Sequence, residues 1–206
     1  MYVPKPFQED DPERLMEAIR AHPFALLVSA GPDGPETTHL PVLPAEGAPL
    51  RLLTHMARAN PQWRAIEADP RVRVVFAGPH GYVSPRWYAS EAQVPTWNYV
   101  AVHALGRARL VHDPAELEAM VAGLAAAFEG TGAEAWTLAR LPQSVKQALL
   151  ANIVGVEVAV ERLVGSWKLN QNKRPADRAG VIEALTASPR AEDAALRAAM
   201  QAIPVD

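Results

Sequence analysis

Apolar and polar positions alternate along two stretches of this chain. Over residues 71–77, Val72, Val74 and Phe76 fall on one face and Arg71, Arg73 and Val75 on the other. Over residues 153–163, Val156, Val158 and Val160 oppose Glu157, Ala159 and Glu161. A period of two is the mark of a half-buried strand. Residues 24–29 form a continuous apolar run, followed by the turn composition Gly31-Pro32-Asp33-Gly34-Pro35, with residues 37–42 as the return strand of a hairpin. A further short run at 50–54 starts after Pro49. The dipeptides in Gly78-Pro79-His80-Gly81 predict a turn into a separate strand at 82–84, ended by Pro85. A long strand over 98–112, bent near Gly106, completes the set.

Helical spacing appears between the strands. Asp10 or Asp11 is placed to cap a helix carrying Pro12 and Glu13 in its first turn and Leu15, Ala18, Ile19 and His22 behind them, with Pro23 as the stop. Leu117, Met120, Val121, Leu124 and Phe128 mark a longer amphipathic helix, which Gly130 and Gly132 end. Leu141-Pro142-Gln143 opens a shorter one that reaches Leu150. Two more carry Val181, Ile182 and Leu185, then Leu196, Ala199, Met200 and Ile203. Residues 1–7 read as an extended arm that packs Tyr2 and Phe7. The sum is an α+β fold, mainly antiparallel β: six or seven strands forming a small barrel with peripheral helices. We expect a single domain over 1–206, with a helical C-terminal tail from about 175.

Composition narrows the function. The 206 residues carry a formal net charge of −3, which argues against a generally basic surface built to coat phosphate backbones. There is no cysteine, so disulfides and thiolate chemistry are excluded. No apolar run reaches the ~18 residues of a membrane span, and a cytoplasmic location is the default expectation. Six histidines are present. His39, His55, His80 and His103 show no ligand spacing and no accompanying carboxylate cluster, so no metal site is expected.

Three stretches carry candidate chemistry. Thr54, His55, Arg58 and Asn60 follow the strand at 50–54 and precede Pro61 and Trp63. A hydroxyl, a guanidinium and helix-terminal amides at that place suit an anion. An ordinary strand-to-helix turn, with Asn60 as N-cap and Pro61 at the first helical position, explains the same residues. Residues 85–99 hold Trp87, Tyr88, Trp97 and Tyr99 among prolines, a composition suited to a cofactor wall or a subunit interface. The third stretch runs from Gly165 to Pro175 with Lys168, Asn170, Gln171, Lys173 and Arg174. It reads as a polar loop that either completes a binding site or only caps the next helix.

Several segments resemble the PaiB family, whose members are described as FMN-binding negative transcriptional regulators. They are Tyr2-Val3-Pro4-Lys5-Pro6-Phe7, His39-Leu40-Pro41, His55-Met56-Ala57-Arg58-Ala59-Asn60-Pro61-Gln62-Trp63, Tyr82-Val83-Ser84-Pro85-Arg86-Trp87-Tyr88, Val94-Pro95-Thr96-Trp97-Asn98-Tyr99 and Lys168-Leu169-Asn170-Gln171-Asn172. The resemblance implies an FMN-binding split barrel, related to pyridoxamine-phosphate oxidases and flavin reductases, and a homodimer with flavin between subunits. It carries cofactor binding onto Thr54, His55 and Arg58. Further candidate cofactor-binding residues are Asn60, Tyr82, Ser84 and Trp97, with Lys168, Asn170 and Gln171 of the polar loop placed to complete the other protomer's site. The Ser-Arg-Lys of the oxidases is replaced by Ala57-Arg58-Ala59-Asn60, so one phosphate cation is missing unless Lys168 or Arg174 supplies it. DNA enters as a partner through the resemblance only, since no helix-turn-helix or basic recognition helix is visible. The alternatives are a flavin-dependent oxidoreductase of small molecules and, more weakly, a haem binder.

Overall fold

Hairpin and alternation signals become the strands of one antiparallel sheet in the structure, a computed structural model that describes residues 1–130, 132 and 134–203. In chain order the strands are β1 (Gln8–Glu9), β2 (Phe24–Gly31), β3 (Gly34–Pro41), β4 (Leu43–Pro44), β5 (Arg51–Ala57), β6 (Arg71–Val83), β7 (Thr96–Val111) and β8 (Ile153–Lys168). The helices are α1 (Pro12–Ala21), α2 (Gln62–Ala68), α3 (Pro114–Glu129), α4 (Gln143–Ala151), α5 (Pro175–Ala187) and α6 (Ala191–Gln201). Among the described residues no helix is long and apolar enough to cross a membrane.

The chain divides into two compact units. One comprises residues 1–22, 76–103 and 164–206, the other residues 23–75 and 104–163. In the second unit the strands lie in the order β3-β2-β6-β7-β8-β5-β4. The β2–β3 hairpin is in register from Phe24↔Pro41 to Gly31↔Gly34, and β5 pairs with β8 from Arg51↔Ala159 to Ala57↔Ile153. Leu27, Val42, Leu52, Met56, Val74, Val156 and Val158 alternate inward and are buried. On the other face Val111, Leu117, Met120, Leu124 and Leu150 form a second apolar cluster, against which Leu43, Leu53, Val121 and Ile153 pack. Gly155 permits this approach: a Cβ there would lie 2.9 Å from the Val111 Cβ and 3.0 Å from the Met120 sulfur. At Gly106 a Cβ would strike the Ala159 carbonyl, which explains why glycine stands in the middle of β7.

In the first unit β1 pairs with the end of β8, Gln8↔Ser166 and Glu9↔Gly165. Helix α1 is capped by Asp11, whose carboxylate accepts the amides of Glu13 and Arg14, and it buries Leu15 and Ile19. Val181 and Leu185 of α5 and Leu196 and Met200 of α6 are buried. Arg178 closes the C-terminal end of α6 by donating Nη2 to the carbonyls of Met200 and Ile203.

The structure differs from the sequence expectations in several places. Residues 78–81 do not turn; β6 runs unbroken to Val83. Gly78 lies so close to Val100 that a Cβ would meet its side chain at 3.0 Å, and this packing overrides the turn propensity of Gly-Pro. Likewise β8 does not stop at 163. Gly165 and Ser166 stay in the strand because β1 supplies a partner. The N-terminal arm forms a single 3₁₀ turn at Lys5–Phe7, with Tyr2 86% exposed rather than packed. Phe128, expected on the buried stripe of α3, is also exposed.

Candidate functional site

The stretch after β5 lies wholly in the second unit, and its polar residues are not equivalent. Thr54 is fully buried, and its hydroxyl donates to the Pro41 carbonyl at 2.7 Å. Asn60 donates from Nδ2 to the Thr38 hydroxyl at 2.8 Å and accepts the Gln62 amide at 2.9 Å. Helix α2 therefore begins one residue later than expected, with Pro61 rather than Asn60 at the N-cap, although Asn60 still makes the capping bond. Both side chains pin the turn.

Gln62 is the residue that sequence reasoning missed. It is buried, and its Nε2 faces the Leu27 carbonyl, the Ser29 hydroxyl and the Glu36 carbonyl at 3.1–3.2 Å, while Oε1 accepts from Thr38. One carboxamide thus ties α2 to both strands of the hairpin. Nothing in residue type distinguishes it from a solvated glutamine in a first helical turn.

Arg58 and His55 retain free atoms. Arg58 donates Nε to the Ala151 carbonyl and Nη2 to the Ile153 carbonyl, both at 2.8 Å. Its own carbonyl accepts the Trp63 indole at 2.9 Å. Two bonds fix the plane of the guanidinium, and Nη1 has no partner among the described residues. The side chain borders a cavity of about 420 Å³ that His112, Gln143 and Gln147 also line. His55 lies on the face of β5 opposite Thr54. Burial holds its pKa below the ordinary histidine value, so the ring is neutral at physiological pH, and its buried Nδ1 has no partner.

The candidates of the first unit form a separate group. Tyr82 meets Trp87 and Trp97 edge to face, each with centroids 6.3 Å apart, and His80 lies 6.4 Å from Trp97. Tyr82 is 40% and Trp97 53% exposed, leaving an aromatic patch uncovered. Ser84 accepts the Arg86 amide and caps the 3₁₀ turn Pro85–Trp87. Lys168 donates to the Thr96 hydroxyl at 2.6 Å. Asn170 is buried with φ at 62°, a left-handed conformation that asparagine tolerates, and donates to the Tyr88 hydroxyl at 3.2 Å. Gln171 bonds the Leu169 amide and the Trp167 carbonyl. The polar run is thus ordered largely by its own bonds.

In the second unit, Arg58 offers a rigid guanidinium with an unspent edge, a donor of the kind a flavin phosphate requires. In the first unit, Lys168 keeps two N–H protons beyond its bond to Thr96. Among the described residues no group of three or more histidines and carboxylates is placed to hold a metal.

Residues 1–162 match the family model described as "Putative FMN-binding domain". The chain is 34% identical over 186 residues to the "Protease synthase and sporulation protein PAI 2" of Bacillus subtilis, spanning 90% of this chain and 89% of that protein. It is 31% identical to an uncharacterized protein of Aspergillus fumigatus, spanning 89% and 90%. Among solved structures, the flavocytochrome Anf3 of Azotobacter vinelandii superposes with a TM-score of 0.62 at 19% identity, over 78% of this chain and 69% of that one. The FAD and heme binding protein of Mycobacterium smegmatis gives 0.60 at 18%, over 78% and 73%. Fold and family match together define an FMN-binding split-barrel protein. Within that class, the chain belongs to the PaiB family.

Proposed function

We propose that this chain is an FMN-binding homodimer that represses transcription, with Arg58 as its principal phosphate ligand. The observation that carries the phosphate assignment is the guanidinium held at 2.8 Å by two carbonyls while Nη1 stays unpaired beside a cavity. A positioned guanidinium suits a phosphate dianion, because little side-chain freedom is left to lose on binding. His55, neutral and next on the strand to Thr54, serves as a hydrogen-bonding neighbour rather than a second charge. Within the proposed dimer, Lys168 is the candidate second cation, supplied by one protomer to the flavin of the other. Thr54 and Asn60 act by holding the turn, and Asn170 and Gln171 by shaping the segment that carries Lys168. When bound, FMN supplies a redox-active ring; the protein supplies its binding and its electrostatic setting.

The dimer reading rests on the exposed Tyr82–Trp87–Trp97 patch, since contiguous exposed aromatics mark association surfaces. The interface buries more than about 2,000 Å², in the obligate range.

Repression rests on the resemblance to the PaiB family alone, and the basic cluster does not support direct DNA contact. Lys173 donates to Gln93, Arg174 pairs with Asp177, and Arg178 is buried against backbone carbonyls. The output therefore passes through a protein partner or another face. Purified protein is expected to carry the absorption bands of flavin, to sediment as a dimer at micromolar concentration, and to leave promoter fragments unshifted when alone. A colourless protein that FMN does not bind, or a monomer, overturns the corresponding half of this reading. A haem Soret band or turnover of a small substrate favours the alternatives.

A further inference from the structure

The cavity beside Arg58 is larger than a phosphate alone requires. At about 420 Å³ it falls in the range of sites that take a whole small ligand. Every residue of its lining belongs to the second unit. Arg58 borders it from the β5-to-α2 turn and His112 from the end of β7. Gln143 and Gln147, one helical turn apart, line it from α4.

The charges of α3 nearest to His112 are already spent. Glu118 is held by Lys146 at 2.5 Å, and Glu116 pairs with Arg109 at 2.8 Å. Asp113 accepts the Ala115 and Glu116 amides and so caps the helix. By contrast, Arg58 Nη1, the His112 imidazole and the two glutamine carboxamides have no hydrogen-bond partner among the described residues. His112 is nevertheless held in place. Its ring meets the Trp63 indole edge to face, with centroids 5.9 Å apart. The same indole donates Nε1 to the Arg58 carbonyl at 2.9 Å, and the Arg64 guanidinium lies 4.4 Å from its ring centroid. One tryptophan thus braces the backbone of Arg58 and the ring of His112 together.

A phosphate monoester presents three acceptor oxygens, more than one free guanidinium edge can satisfy. An imidazole keeps an N–H donor whether charged or neutral, so a bond from His112 is available in either state. Carboxamides both donate and accept, as hydroxyl groups do. We propose that His112 is a second phosphate ligand in the same protomer as Arg58, and that Gln143 and Gln147 bond the hydroxyls of the ribityl chain. The cavity is then the seat of the ribityl phosphate arm of FMN. This assignment rests on the phosphate reading of Arg58 and extends it to three further residues.

The test titrates full-length apo-protein with FMN and with riboflavin, which lacks the phosphate. His112→Ala should weaken FMN binding roughly 5- to 20-fold, the low end for a bond to a charged group at a solvent-open site. Riboflavin binding should not change. His112→Lys, which restores a donor and a charge, should recover most of the loss. The paired change Gln143→Ala and Gln147→Ala should weaken FMN and riboflavin alike, roughly 5- to 30-fold for two neutral hydrogen bonds. The phosphorus resonance of bound FMN should move in His112→Ala and stay in place in the glutamine pair, a readout that serves even where riboflavin binds too weakly to titrate. Unchanged FMN affinity in His112→Ala, or an equal loss for riboflavin, overturns the role of His112. Unchanged FMN affinity in the glutamine pair overturns theirs. Arg58→Ala measured alongside separates the two readings. If it weakens FMN binding and His112→Ala does not, only the His112 assignment falls; if neither does, the Arg58 reading itself fails.

Discussion

Arg58 and Ile153 are joined by a 2.8 Å bond from the guanidinium Nη2 to the backbone carbonyl. The bond places the side chain of a β5-to-α2 turn at the start of β8, where α4 ends. Together with the bond to Ala151 it gives Arg58 a duty to the fold beside the proposed one to the cofactor.

These duties separate in mutants. Arg58→Ala removes both and should weaken FMN binding by about 1.5–3 kcal/mol, the scale of a charge-assisted bond. It should also lower stability, since two carbonyls lose donors. Arg58→Lys keeps the charge but cannot reproduce a fork with two fixed bonds and a third free edge, so affinity should fall less than in Arg58→Ala. Titration of apo-protein with FMN, beside urea unfolding of the same variants, checks both. An unchanged FMN dissociation constant in Arg58→Ala removes Arg58 from the site.

Gln62 should behave as a purely structural residue. Gln62→Leu keeps the volume but withdraws the donor from the Leu27 and Glu36 carbonyls and from Ser29. A cost of about 2–4 kcal/mol is expected for these buried losses. Gln62→Glu should be worse, because a carboxylate oxygen would then face three acceptors. Urea unfolding measures both; a loss below that of an exposed glutamine would refute the network.

Much of this architecture was legible from local pattern. Asp11, one of the two aspartates placed to cap α1, does so, and the 24–42 hairpin follows from its apolar run and its turn composition. What stayed hidden depended on distant partners. Gly78-Pro79 spells a turn, yet Val100 packs on Gly78 and the strand continues. Gly165 and Ser166 look like loop, yet two residues of β1 pair with them. The candidate site was legible as a list of donors but not as a set of free donors. Thr54 and Asn60 have the same polar character as Arg58, and only the structure shows that their hydrogen bonds are spent on Pro41, Thr38 and the Gln62 amide.

Asn170 holds the left-handed turn after β8 and donates to the Tyr88 hydroxyl. Asn170→Ala places a less tolerant residue at φ 62° and removes the bond, so it should cost about 1–3 kcal/mol. Asn170→Gly relieves the backbone and loses only the bond, and should be milder. Thermal melts of the pair separate strain from hydrogen bonding. Equal losses would mean that the conformation at 170 carries no strain.

His55 sets the expected response to acid. Burial disfavours its charged form, so its folded-state pKa lies below the unfolded value of about 6.5. Between those two values the unfolded chain binds a proton that the folded chain does not. Stability from this residue is therefore complete above about pH 6.5 and is lost as pH falls toward the folded value. His22 is shifted the same way by burial, so the two add. His55→Phe should reduce the fall in melting temperature between about pH 8 and pH 5, and a further His22→Gln change should reduce it again. Carboxylates such as Asp69, held near a pKa of about 2 chiefly by the Arg71 side-chain bond, titrate below this window and leave it undisturbed. An identical pH slope in wild type and His55→Phe would show that His55 is protonated freely in the folded protein, and with it that the ring is not buried as described.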